Sequence, residues 1–408
     1  MATEGRSTES PSAASRRLES AGFVHVVARA DGDALAASGL LARALAERGT
    51  PFQVSVDRTV ADRTARVRAR EPAANDVTIG VGAVDADVTR LDADDRPATL
   101  AALEFARELG ATPDPVLALA GLVAAGVEPG AGESEWVLET ARERGLVERR
   151  PGVAVPTADP VDGVAHSTRL CASWSGDIDA ARDALAGVAV DLDEPESFDA
   201  DDHRAIGSAI ALDVVGADEA DAGAAETVQR ALRPYATPEH AFATVGGYAD
   251  VLEATARAEA GTGAALAMGH DAHEPALEAW REYGRRAQLA LEAGSTGRYD
   301  GLFVVGVDDG PVEAVARLAV AFRSPEPVVL AIGTGESAIA TRNDDALGAT
   351  VEAVARELET AADADSNADS EPSHEGTIAY DSGRRRGYLR YDTGRDESTI
   401  IATVRDLL

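Results

Sequence analysis

Four aspartates lie in two short turns near the N-terminus. Asp31 and Asp33 stand in Ala30-Asp31-Gly32-Asp33-Ala34, and Asp85 and Asp87 in Gly82-Ala83-Val84-Asp85-Ala86-Asp87. Hard divalent cations such as Mn²⁺ or Mg²⁺ prefer oxygen ligands of this kind, and a pair of such ions would activate water for attack on a phosphodiester. A plainer role is also open, because an Asp at the head of a helix is an ordinary N-cap. The densest basic run is Arg384-Arg385-Arg386, with Tyr388 and Tyr391 just beyond it. Phosphate pairing and stacking on such a run would suit single-stranded nucleic acid; the alternative is a surface cluster balancing the acidic stretch before it. His270 and His273 stand three apart but lack a third ligand and read as solvated loop histidines. Gly333-Thr334-Gly335-Glu336 lacks the Lys of a phosphate loop and reads as a turn.

These residues need elements to position them. Gly22–Ala30 is an apolar run that predicts a buried strand, where order is expected to begin. A helix from Ala34 to about Arg48 follows, with Leu35, Leu40, Leu41, Ala44 and Leu45 at helical spacing, and Gly49 ends it. Pro51–Val56 and Asp76–Val81 supply two more strands. Strand, helix and strand in alternation predict a parallel α/β sheet covered by helices, with ligands beyond the carboxyl ends of the strands. Both aspartate turns fall there.

Further helices are predicted at 98–109, 115–125, 134–144, 177–186, 201–212, 224–232 and 274–293. Alternation resumes with strands at 301–307 and 327–332 around a helix at 311–322, and a strand at 388–391 and a helix at 399–407 close the chain. The expected organisation is a mobile tail over 1–20, a first domain over 21–165, a mostly helical connector over 166–295, and a smaller α/β domain over 296–408. An acidic, structureless loop is expected at 362–376.

Of the 408 residues, 71 are acidic and 38 basic, all of the latter Arg, for a net charge of −33. With 45% hydrophobic residues this is a core-forming chain whose carboxylate excess suits an extreme halophile. In molar salt the Debye length is about 3 Å, so the net charge neither supports nor excludes a nucleic-acid partner. The single cysteine, Cys171, excludes a disulfide framework or a Cys-rich zinc site. No apolar run is long enough to span a bilayer, so a cytoplasmic protein with no membrane partner is expected.

In order along the chain, the motifs resemble the DHH phosphoesterase superfamily, and its RecJ-like branch in particular. The run Val27-Ala28-Arg29-Ala30-Asp31-Gly32-Asp33-Ala34-Leu35 is similar to that branch's first motif, H-x-D-x-D-G followed by a small-residue helix. Arg150–Thr157, His166-Ser167-Thr168, Ser175-Gly176-Asp177 and Gly247–Arg257 resemble later stretches. Residues 316–332 and Ser337–Arg342 resemble the DHH-associated C-terminal domain. The resemblance covers most of residues 22–360. It implies a parallel-sheet DHH-type domain, Mn²⁺ or Mg²⁺ chemistry on single-stranded DNA, and cleft-facing positions at Arg257 and Arg342.

The departures bear on mechanism. The family His falls on Val27, its first Asp on Arg29, and its second-strand Asp on Gly80 or Gly82; only Asp31 is retained. The Asp-His-His signature is absent, with Asp92-Ala93-Asp94-Asp95 in its place, and no Gly-Gly-His occurs near the C-terminus. One carboxylate cannot fix two ions, so a RecJ-like scaffold without nuclease activity and without a resident cofactor is expected, of the kind that joins MCM and GINS in replicative helicases. The other readings are a Mn²⁺-dependent exonuclease or small phosphodiesterase using Asp31, Asp33, Asp85 and Asp87, and a regulatory subunit of an active RecJ-like nuclease.

Overall fold

A computed structural model describes residues 17–91, 96–343, 347–365 and 378–408. The elements run β1 (Phe23–Arg29), α1 (Gly32–Glu47), β2 (Phe52–Asp57), α2 (Val60–Arg68), β3 (Asp76–Val81), β4 (Thr89–Arg90), α3 (Ala98–Glu108), α4 (Pro115–Ala124), α5 (Glu135–Glu143) and β5 (Glu148–Arg149). Then come α6 (Pro160–His166), α7 (Ile178–Leu185), α8 (Ala200–Gly216), α9 (Gly223–Ala231), β6 (Tyr235–Ala236), α10 (Val245–Ala258), α11 (Ala260–Ala267) and α12 (His273–Ala293). The last are β7 (Thr296–Tyr299), β8 (Leu302–Gly306), α13 (Val312–Leu318), β9 (Val328–Gly333), β10 (Glu336–Thr341), α14 (Gly348–Asp365), β11 (Ala379–Ser382), β12 (Arg386–Arg390) and α15 (Glu397–Leu407).

The chain divides into two compact units. The first comprises the chain up to Glu148 with Thr237–Ala241 and Val251–Ala279; the second takes Arg149–Ala236, Phe242–Asp250 and Trp280–Leu408. In the first unit the described strands form a parallel sheet of order β2-β1-β3-β4. Its central strand β1 buries Val24, Val26, Val27 and Ala28 completely, as a strand covered on both faces must. Helix α1 is sunk in this unit, with thirteen of its sixteen residues buried. It packs on α3, α4 and α11, which explains why it is alanine-rich and apolar nearly all round. At Gly39 an added Cβ would lie 2.4 Å from the Ala267 carbonyl, so the α1–α11 approach requires glycine.

In the second unit the strand order is β11-β12-β10-β9-β8-β7, with β8–β9 parallel and the other pairs antiparallel. Its core includes Leu302, Leu330, Ile339, Val351, Val354, Leu358, Leu389, Ile400 and Val404. The fold is therefore the α/β class expected, with a parallel sheet at the N-terminal end and a separate mixed sheet at the C-terminal end. Among the described residues no helix is long and apolar enough to cross a membrane.

Several local expectations need correction. Leu18 is 1% exposed, so order begins before Gly22; residues 1–16 lie outside the described region. Helix α2 is an addition to the expected elements, because its buried residues are Arg63 and Thr64 rather than an apolar stripe. Helix α14 runs to Asp365 into the stretch expected to be a loop, whose remainder lies outside the described residues. The expected helix at 311–322 is α13 followed by a wider π turn over Ala319–Arg323. Replacing Gly39 by Ala should destabilise the protein by about 2 kcal/mol through overpacking, measured by denaturant unfolding.

Candidate functional site

The carboxyl edge of the parallel sheet is where a ligand of this fold class would sit. Arg29 ends β1, and in the ladder it faces Asp57, which ends β2. Asp31 follows and caps α1: its Oδ1 accepts from the Ala34 amide at 2.7 Å. Its Oδ2 accepts from Arg29 Nε in an ion pair whose carboxylate is 1% exposed. Both oxygens of Asp31 therefore already accept hydrogen bonds. Gly82, just past β3, has φ +107°, and an added Cβ there would lie 2.9 Å from the Arg29 Cβ. The glycine leaves room for the arginine stem.

Asp33, 4% exposed, points the other way. Its carboxylate accepts from the Ala98 amide at 2.8 Å, the Thr99 amide at 2.9 Å and the Thr99 hydroxyl at 2.6 Å, so it caps α3 across 66 residues of chain. Burial and the adjacent Asp31 charge hold the Asp33 carboxyl above its ordinary range, while the Thr99 and Ala98 donors oppose that rise. Asp85 and Asp87 are exposed; Asp85 lies beside Arg68, at 3.8 Å.

The four aspartates expected as a metal cluster do not come together. Among the described residues no group of three or more His, Cys, Asp or Glu side chains is placed to hold a metal ion. In the turn after β3 the buried side chain is Val84, and the two carboxylates that follow it, Asp85 and Asp87, reach solvent. Among the described residues the side chains do not fit a Mn²⁺ or Mg²⁺ centre: Asp31 faces the Arg29 guanidinium, Asp33 the head of α3, and Asp85 and Asp87 stand exposed, so several oxygen ligands do not converge.

Other groups close the edge. Asp57 is held by Arg66 through Nε at 2.5 Å and Nη2 at 2.6 Å. Arg63 is completely buried and donates to the carbonyls of Asp57 at 3.0 Å and Ala83 at 2.9 Å, joining the ends of β2 and β3. Glu253 reaches from α10 to accept from the Gly32 amide at 2.8 Å, placing a carboxylate at the positive end of α1. Arg257 pairs with Glu253 at 2.8 Å, its side chain 5% exposed. Sequence reasoning missed Asp57, Arg63, Arg66, Thr99 and Glu253. Asp57 carries a signal, an Asp closing the second strand followed by arginines six and nine residues on; Glu253 carries none, lying 221 residues from its partner.

The expected nucleic-acid residues are dispersed. Arg257 belongs to the buried pair just described. Arg342 binds Asp221 at 2.8 Å and the carbonyls of Ser324 and Glu326. Arg384 and Arg385 are exposed in the turn between β11 and β12, and Arg386 begins β12. Tyr388 is 3% exposed with its hydroxyl on Glu336 at 2.7 Å, and Tyr391 is 7% exposed, so neither ring offers an open face for stacking. His270 is exposed before α12 and His273 heads that helix.

In the second unit the stretch His166-Ser167-Thr168 is tied to Asp250. That buried carboxylate accepts from the Thr168 amide and Trp280 Nε1, both at 3.0 Å, from the Ser167 hydroxyl at 3.2 Å, and from the Thr168 hydroxyl. Nearby, Asp162 takes two hydrogen bonds of 2.9 Å from Arg281 and lies 3.0 Å from His166 Nδ1. Burial raises the Asp162 carboxyl, but the hydrogen bonds from His166 and Arg281 outweigh it and hold it at about 2. Its folded value lies below the ordinary 3.8. Its contribution is therefore present in full above that value and is lost as pH falls through about 2.

Both buried carboxylates can be tested by substitution. Asp33→Ala should lower unfolding stability by about 3 kcal/mol, because three buried donors lose their acceptor. Asp162→Asn should cost about 2 kcal/mol at neutral pH, with the gap from wild type narrowing as the pH of denaturant titrations falls from 4 towards 2.

Comparison with known proteins agrees with the fold. Residues 294–406 match the family model described as "Uncharacterized protein rrnAC1427, C-terminal domain". The chain is 47% identical over 340 residues to the rrnAC1427 protein of Haloarcula marismortui, covering 82% of this chain and 85% of that one. Among solved structures, CDC45 from Entamoeba histolytica superposes with a TM-score of 0.59 at 8% identity, covering 97% of each chain; the likeness is one of fold. RecJ with Mn²⁺ from Thermus thermophilus gives a TM-score of 0.43 at 14% identity, over 97% of this chain and 54% of that one. The chain thus belongs to the rrnAC1427 family, and its fold is like that of CDC45.

Proposed function

We propose that this protein is a RecJ-like scaffold of DNA replication or repair that has given up nuclease chemistry and holds MCM and GINS together in the cytoplasm. The observation that carries the reading is at the carboxyl edge of β1: Asp31, the one motif carboxylate retained, has both oxygens committed to Arg29 and to the first turn of α1. Asp33 is committed to α3 in the same way. A carboxylate that is fully hydrogen-bonded and buried rigidifies a fold, whereas a hydrolytic centre must leave ligand positions open to ion and substrate. The likeness of fold to CDC45 supports the same reading. In it, residues 21–165 form the DHH-type domain, 166–295 the connector and 296–408 the DHH-associated domain, and the exposed Arg384 and Arg385 are the residues best placed to touch nucleic acid.

Labelled single-stranded DNA incubated in molar KCl with Mn²⁺ should remain intact in the presence of well-folded wild-type protein. MCM and GINS should co-purify with it in high-salt buffers. Mn²⁺-dependent degradation that disappears in Asp31→Ala would overturn the proposal in favour of an exonuclease.

A further inference from the structure

Helix α8 of the second unit is apolar on two opposite sides, and only one of them is covered. Ile206, Gly207, Ile210 and Val214 face inward and are buried. On the outer side Ala205, Ser208, Leu212 and Val215 follow one another three and four residues apart, the spacing of a seam that a second helix can fill. All four are exposed, Leu212 at 73% and Val215 at 49%. A helix that is apolar all round is normally enclosed, and an exposed apolar strip of this kind marks a contact surface.

The seam matches itself. In an antiparallel pair about a two-fold axis beside Ile210, Leu212 of one copy lies over Ser208 of the other and Val215 over Ala205, so each large side chain meets a small one. The charges follow the same register. The seam itself carries none, because Asp213 is turned aside to Trp174 Nε1 at 3.1 Å. Arg204, near its beginning, pairs with Asp201 and keeps its side chain 60% exposed. Helical side chains lean towards the N-terminus, which brings this guanidinium level with the other copy's Asp218, an exposed carboxylate just beyond the end of α8. Glu219, next to it, is already paired with Arg323 at 2.6 Å. A chain of net charge −33 repels its own copies over most of its surface. This strip, uncharged along its length and with opposite charges meeting at each end, is where that repulsion is least.

We propose that the outer face of α8 is a self-association surface, on which a second copy of this chain docks through its own α8, antiparallel and two-fold. A single helix pair is at the small end of protein interfaces, so the dimer is weak and concentration-dependent, with a Kd on the order of 10 µM. The inference is independent of the functional reading above, because α8 belongs to the second unit and the carboxyl edge that carries that reading belongs to the first.

The test is sedimentation equilibrium of the full chain in molar KCl, from about 1 to about 200 µM. Wild type should pass from one chain to two across this range. Leu212→Asp should weaken the dimer about tenfold and leave the unfolding midpoint unchanged, because Leu212 is exposed. Val215→Asp, on the same seam, should do the same and reads the effect if the first variant folds poorly. Arg204→Glu sets acid against Asp218 and should weaken the dimer about threefold, and adding Asp218→Arg should restore the affinity. Wild type that stays monomeric throughout would overturn the proposal. So would Leu212→Asp and Val215→Asp dimers as tight as wild type, which put the contact elsewhere. A second charge reversal that restores nothing would contradict the antiparallel pairing. These outcomes are separable from failure of the functional reading, which shows as DNA degradation by wild type or absence of MCM and GINS from the purified complex.

Discussion

A carboxylate taken out of water must be met by donors or by a positive charge, and the first unit is arranged around that requirement at Asp31. The side chain is 1% exposed, beyond the end of a strand whose apolar residues fill the sheet's centre. Leaving such a charge unmatched costs several kcal/mol, comparable with truncating a large core side chain. The match comes from the Ala34 amide of α1 and the Arg29 guanidinium, for whose stem Gly82 leaves room. The same demand recurs at Asp33, satisfied by the head of α3, and at Glu253, satisfied by Gly32 and Arg257. Each carboxylate ties two elements together, so the edge works as a set of staples joining α1 to β1, α3 and α10.

That use of carboxylates bears on function. Hydrolysis by bound cations needs oxygen atoms with open lone pairs around a cavity that substrate can enter. Staples need the reverse: carboxylates held by protein donors and water kept out. The architecture is a parallel sheet with its helices and a separate C-terminal sheet, and the carboxylates at the edge of the first are put to the second use.

Much of the fold was legible in the sequence where apolar periodicity decides structure. Strands β1 and β3 and helices α1, α3 and α4 fall within two residues of their expected ends because their buried positions are Val, Ile, Leu and Ala. Helix α2 escaped because its inward residues are Arg63 and Thr64, which read as surface. Strands β7 and β11 escaped because they are short edges rich in polar residues, Thr296–Tyr299 and Ala379–Ser382. At the site, the replacement of acid by Arg29 was visible as a departure from the motif. Its pairing with Asp31, two residues on, is seen only in the structure. The partners of Asp33 and Gly32 lie 66 and 221 residues away, and no local pattern announces them. Asp85 and Asp87 resembled ligands only by spacing; the turn buries Val84 and sends both carboxylates outward.

The most direct measurement is electron paramagnetic resonance of Mn²⁺ titrated into the wild-type protein in molar KCl. Free aqueous Mn²⁺ gives a six-line spectrum that broadens away when the ion is held by a protein. Undiminished signal at equimolar protein is expected if the carboxylates of this edge are held by protein donors and bind no ion. Stoichiometric loss of signal that Asp31→Ala restores would contradict it and return the edge to metal chemistry.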